Sequence, residues 1–101
     1  MNTEDLIKAN KARFNLNYQK LQLKEKYSAK LLFADQSGLW LAGPELFSTL
    51  QYFTEEQVIL VDQYSNPVKV DRLRLLTRAN QVYSETMSEW FTEYESLKNN
   101  R

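Results

Sequence analysis

The chain has no cysteine and no histidine among its 101 residues, and it has only two glycines and two prolines. Without cysteine there is no disulfide, no thiolate metal site and no thiol nucleophile. Without histidine the commonest general base and transition-metal ligand is missing. Carboxylates, lysines, tyrosines and hydroxyls remain for chemistry, and no spacing among them marks a catalytic centre. The expectation is therefore a protein that is not an enzyme and holds no cofactor or metal. A hydrophobic share of 43% with so little glycine and proline fits one small globular domain over residues 1–101. No apolar run approaches the roughly 18–20 residues of a membrane span. The opening Met1-Asn2-Thr3-Glu4-Asp5 is acidic and unlike a secretory leader, so a cytoplasmic location without membrane contact is expected.

Thirteen bases balance thirteen acids, which removes the uniform positive field of a dedicated nucleic-acid binder. The charges are nonetheless sorted along the chain. Residues 1–30 carry seven bases against Glu4, Asp5 and Glu25, whereas residues 31–68 carry Asp35, Glu45, Glu55, Glu56 and Asp62 with no base. Lys69, Arg72, Arg74 and Arg78 then surround Asp71, and residues 82–101 hold four glutamates against Lys98 and Arg101. Such blocks can attract one another or a partner.

Residues 3–24 read as a helix, with Thr3 as cap, Glu4 and Asp5 in the first turn, and Ile7, Phe14, Tyr18 and Leu21 on one stripe. The two-residue alternation of Phe14-Asn15-Leu16-Asn17-Tyr18 keeps a strand open as the alternative there. Residues 30–34 and 39–42 read as a hairpin turning through Asp35-Gln36-Ser37-Gly38, with Gly38 available for positive φ. Gly43-Pro44 ends it and starts a helix over 44–53. Val58–Val61 and Val68–Val70 form a second hairpin, and the unbroken apolar run of the first strand suggests burial on both faces. Asp71 caps a last helix to about Lys98, along which Leu73, Leu76, Asn80, Tyr83, Met87, Trp90, Tyr94 and Leu97 keep a heptad spacing, with Leu75, Ala79 and Val82 widening the stripe in the first half and Phe91 in the second. The fold class is α+β: a small, mainly antiparallel sheet of about four strands, an N-terminal helix, a short middle helix and a long C-terminal helix.

At 1.5 Å per residue the last helix spans roughly 40 Å, more than the roughly 33 Å diameter of a compact domain of this size. Something must cover the apolar side chains Met87, Trp90, Phe91, Tyr94 and Leu97 on its second half. The N-terminal helix of the same chain and a second copy, or another protein, are both able to do so. The glutamates there can likewise be neutralised by the N-terminal lysines or by Arg72, Arg74 and Arg78 of an antiparallel copy. Asn80 either fixes helix register or faces a backbone carbonyl or the solvent edge.

Asp35-x-Ser37-Gly38 lacks any base to activate the serine and reads as a turn. Asp35, Glu55, Glu56 and Asp62 lack the spacing of a calcium loop and read as solvated charge. Lys69, Arg72, Arg74 and Arg78 lie at a strand-to-helix junction, where free amides already favour anions, so a phosphate, a nucleic-acid backbone or an acidic protein surface is an alternative ligand.

The stretch from Val58 through Asp62, Asn66-Pro67 and Val70-Asp71-Arg72, followed by the Tyr- and Trp-bearing helix, resembles small uncharacterised proteins of tailed bacteriophages, especially T4-like phages of cyanobacteria. The resemblance covers residues 58–98 and implies a phage accessory or virion-assembly protein without naming functional residues. The expected function is a protein–protein interaction or assembly module, a homo-oligomer such as a dimer or a complex with another protein. Its anchors are Met87, Trp90, Phe91, Tyr94 and Leu97. The alternative is a nucleic-acid or phosphate binder using Lys69–Arg78 and the N-terminal lysines.

Overall fold

A two-residue turn, a five-residue turn and four short strands organise the middle of the chain, and long helices flank it. In the computed structural model, which describes residues 3–99, the elements are α1 (Thr3–Lys30), β1 (Leu32–Asp35), β2 (Gly38–Leu41), α2 (Pro44–Tyr52), β3 (Gln57–Val61), β4 (Pro67–Asp71) and α3 (Arg72–Asn99). Within α1 the described side chains are those of Thr3 and of residues 15 onward, so Glu4, Asp5, Ile7 and Phe14 lie outside them. The class is α+β, as the residues predict. Phe14–Tyr18 belongs to α1, so the helical reading of that segment holds and the helix continues to Lys30.

The four strands fall in two antiparallel ladders, β1 with β2 and β3 with β4. They meet where the Gln63 amide donates to the Leu39 carbonyl (2.9 Å) and the Leu39 amide donates to Asp62 Oδ2 (3.1 Å). The first hairpin corrects the reading of its turn. Gln36 (φ 48°) and Ser37 (φ 66°) take the positive φ values, and Gly38 does not. Glycine is required at 38 for another reason: the Trp40 indole, on the same face two residues on, folds back over it. A Cβ at Gly38 would lie 2.5 Å from Trp40 Cζ2. Trp40 is held there by its indole N–H, which donates to the Asp35 carbonyl (2.9 Å).

β3 also differs from expectation. Val58 and Leu60 are buried, but Ile59 and Val61 are each 67% exposed. The helices cover the ladders from one side only, so the apolar run is buried on one face and faces water on the other. The core brings together Phe33, Trp40, Leu50, Val58, Val70 and Leu75, with Ala79 and Val82 of α3 completing it. Leu75, Ala79, Val82 and Thr86 are the buried positions of α3. That stripe is rotated from the heptad read in sequence, so Leu73 and Asn80 are exposed while Leu76 and Tyr83 are half-buried. Asp71 caps α3 as expected, its Oδ1 accepting the Arg74 amide at 3.1 Å.

Only the first half of α3 packs on the ladders; its second half runs away from them beside α1. The molecule is accordingly long, 65 × 24 × 21 Å, with a radius of gyration of 19.3 Å. A compact chain of this length would have about 13 Å.

Candidate interaction surface

The stalk formed by α1 and the second half of α3 is antiparallel. Its seam on α1 is Leu16, Lys20, Leu23 and Tyr27, spaced four, three and four residues apart. Tyr27 is buried and stacks on Trp90, ring centroids 5.9 Å apart and planes 11° from parallel. Lys20 Nζ sits 5.9 Å from the centre of the Tyr94 ring, and Leu16, Tyr94 and Leu97 line one small void between the helices. Trp90, Tyr94 and Leu97 are therefore half-buried with α1 of their own chain against them; Met87 is half-buried too, while Phe91 stands 64% exposed.

Two ion pairs close one side of this seam. Lys26 Nζ lies 2.6 Å from Glu93 Oε1, and Lys30 Nζ lies 3.4 Å from Glu89 Oε2. Of the two ways to neutralise these glutamates, the structure uses the lysines of the same chain. The hydrogen bond with Glu93 raises the Lys26 ammonium above its ordinary value, and the same bond lowers the Glu93 carboxyl. Burial, with a further contribution from the Glu93 carboxylate, raises the Tyr27 phenol. Both pairs are exposed, so they orient the helices more than they stabilise them.

The other side of the seam carries Leu21, Met87 and Phe91 together with Lys24, about 60° from Tyr27, and Lys98, about 80° from Trp90. At 100° per residue, Glu93 and Glu89 lie about 60° and 100° to one side of Trp90, and Met87 and Phe91 lie about as far to the other. On α1, Lys26 is about 100° from Tyr27 toward the ion-paired side, and Leu21 about 120° the opposite way. Because the helices are antiparallel, Leu21, Met87 and Phe91 share one face of the stalk, with Leu21 and Phe91 open to water. Tyr18, also exposed, lies farther round α1. Heptad spacing in α3 pointed to Met87 and Trp90, but the stripe read on α1 through Tyr18 and Leu21 is exposed, and the seam Leu16, Lys20, Leu23 and Tyr27 becomes legible only once Tyr27 is seen to face Trp90.

The basic residues are not one cluster. Arg72 turns toward α2, its Nε donating to the Glu55 carbonyl (2.9 Å) and a terminal nitrogen to the Leu50 carbonyl (3.0 Å). It closes the end of α2 and the loop after it. Arg74 and Arg78 line a shallow depression with Asp35, Thr77 and Gln81, and Arg78 donates to Gln81 Oε1 (3.0 Å). Lys69 is exposed on β4, opposite Ile59.

Asp62, read as solvated charge, is 7% exposed. Its Oδ1 accepts the Tyr64 and Asn66 amides, both at 3.0 Å, and its Oδ2 the Leu39 amide. The Asn66 amide first, then those of Leu39 and Tyr64, hold its carboxyl below the ordinary value against the opposing effect of burial. Among the described residues no three acids gather as a metal site would require, and no helix is long and apolar enough to cross a membrane. No family model, curated protein or solved structure matches this chain.

Proposed function

We propose that the chain is a non-enzymatic assembly module that pairs with a second copy of itself through the side of the stalk that exposes Phe91 and Leu21. The observation that carries this reading is Phe91, a large ring 64% exposed beside the Trp90 seam, on the face opposite the ion pairs. Removing such a side chain from water is worth about 1.5–3 kcal/mol. Leu21 and Met87 flank it, and two such faces brought together would turn two helix pairs into a four-helix bundle, an arrangement that buries stripes of this width. Trp90, Tyr94 and Leu97 support the face from below, positioning Phe91 through their packing on α1. The likeness of residues 58–98 to small phage proteins extends the proposal to a role in phage assembly.

The nucleic-acid alternative has less support, because Arg72 is engaged by two backbone carbonyls and Lys69 stands on a strand apart from the α3 depression. The deciding experiment is light scattering over a concentration series. The wild-type mass should rise above 12.0 kDa toward twice that value, and Phe91→Ser with Leu21→Ser should hold it at the monomer with helical content unchanged. A monomer at every concentration overturns the assembly reading. DNA or RNA binding that weakens steeply with added salt would favour the alternative instead.

A further inference from the structure

The two ladders almost make one sheet. In an antiparallel ladder, bonded and non-bonded pairs alternate, so successive residues direct their N–H and C=O groups to opposite edges. The Arg72 amide donates to the Glu56 carbonyl and the Asp62 amide to the Asn66 carbonyl, which fixes the even-numbered residues of β3 as those bonded to β4. Gln57, Ile59 and Val61 therefore turn their amides and carbonyls away from β4. On the first hairpin the Ala42 amide donates to the Leu31 carbonyl, so Leu39 and Leu41 turn theirs away from β1. These two edges face each other. They close at Leu39, whose carbonyl takes the Gln63 amide and whose amide is taken by Asp62. Beyond that point they separate, and a groove of about 360 Å³ opens between Leu41 on one side and Leu60 and Val61 on the other, bordered by Trp40, Pro44 and Leu46.

We propose that this opening is a docking site for an extended, apolar peptide segment bearing basic residues, which adds as a strand to the free edge of β3. Three features select that occupant. The backbone groups of Ile59 and Val61 present the hydrogen-bonding pattern of an edge strand, which another extended backbone satisfies. Trp40, Leu41, Pro44, Leu46, Leu60 and Val61 line most of the groove, with Thr49 and Gln63 among them, so alternate residues of the incoming strand find a largely non-polar lining. Glu45 is the one charged residue lining it, and the surrounding stretch from 31 to 68 contains five acids and no base. A cation on the peptide meets the Glu45 carboxylate there, whereas an acidic peptide is repelled by it. β3 itself, Gln57–Val61, carries no charge that would protect its edge.

The test uses the full chain and an acetylated, amidated octapeptide of alternating lysine and valine, followed through the amide resonances of Leu41, Ile59 and Val61. Binding should shift all three, and the glutamate–valine counterpart should bind at least about tenfold more weakly, the equivalent of about 1.4 kcal/mol. Val61→Pro removes an amide that points away from β4, so the β3–β4 ladder should survive while peptide binding is lost; Val61→Thr should retain it. Methylating the peptide's central backbone nitrogens should abolish binding by the same logic, with the protein unaltered. Absence of shifts with the lysine–valine peptide overturns the proposal, as does binding indifferent to both Val61→Pro and methylation. A fall in molecular mass on Val61→Pro would assign the edge to a second copy and overturn it equally. Phe91→Ser should leave peptide binding intact, which separates this site from the stalk.

Discussion

Asp62 is the side chain on which the two hairpins meet. Its carboxylate gathers amides from its own turn and from Leu39, 23 residues away. The sequence presents it as one acid in an acidic block, and nothing local distinguishes it from Glu55 or Glu56; the Leu39 amide that helps bury it comes from a different hairpin. Because those donors favour the charged form, its folded pKa lies below the unfolded value of about 3.9. Its stabilising contribution is then present above that value and is lost as the pH falls through the folded one. Thermal melts from about pH 5 downward should show stability declining in acid. Asp62→Asn should melt lower at neutral pH and decline less steeply. An Asp62→Asn decline as steep as the parent's would remove Asp62 as a source of the acid sensitivity.

At the scale of elements, hairpins and caps follow local chemistry closely. Gln36 and Ser37 accept positive φ in a two-residue turn, and the Asp71 carboxylate at the start of α3 bonds the Arg74 amide. The role of Gly38 is less local, since it is set by the ring of Trp40 and not by its own backbone angles. Gly38→Ala should therefore destabilise by about 1–3 kcal/mol through overpacking against a buried indole, measured by denaturant unfolding. A neutral result would mean that the ring can swing aside. The rotation of the buried stripe on α3 has a related origin. Leu73 and Leu75 are equally apolar, and which of them is buried depends on where the ladders and α2 sit. Heptad spacing centred the stripe on Leu73 and Leu76 with Leu75, Ala79 and Val82 at its margin, whereas packing buries Leu75, Ala79 and Val82 and adds Thr86.

The whole molecule is a small α+β body with a helical stalk, and its 65 Å length comes from α1 and α3 continuing past the ladders. The mismatch between a 28-residue helix and a 101-residue globule was visible in the sequence. Its resolution has two parts: α1 covers the Trp90 seam, and Phe91 and Leu21 remain outside it. Small-angle scattering at high dilution should give a radius of gyration near the 19.3 Å of the single chain, rising with concentration if copies pair. A value near the roughly 13 Å of a compact domain would mean that the helices fold back on the body.

The residues by themselves determined the order of helices and hairpins, the cap at Asp71, the class of the fold and the excess length of the last helix. Those features rest on near-neighbour chemistry: turn residues, periodicity, and the rise of a helix per residue. Tertiary structure decided which stripe of α3 is buried, that Ile59 and Val61 face water, that Asp62 is enclosed, and that the glutamates of α3 pair with lysines of α1. Each depends on which surface lies opposite, and an apolar or charged side chain carries the same local signature whichever surface it meets.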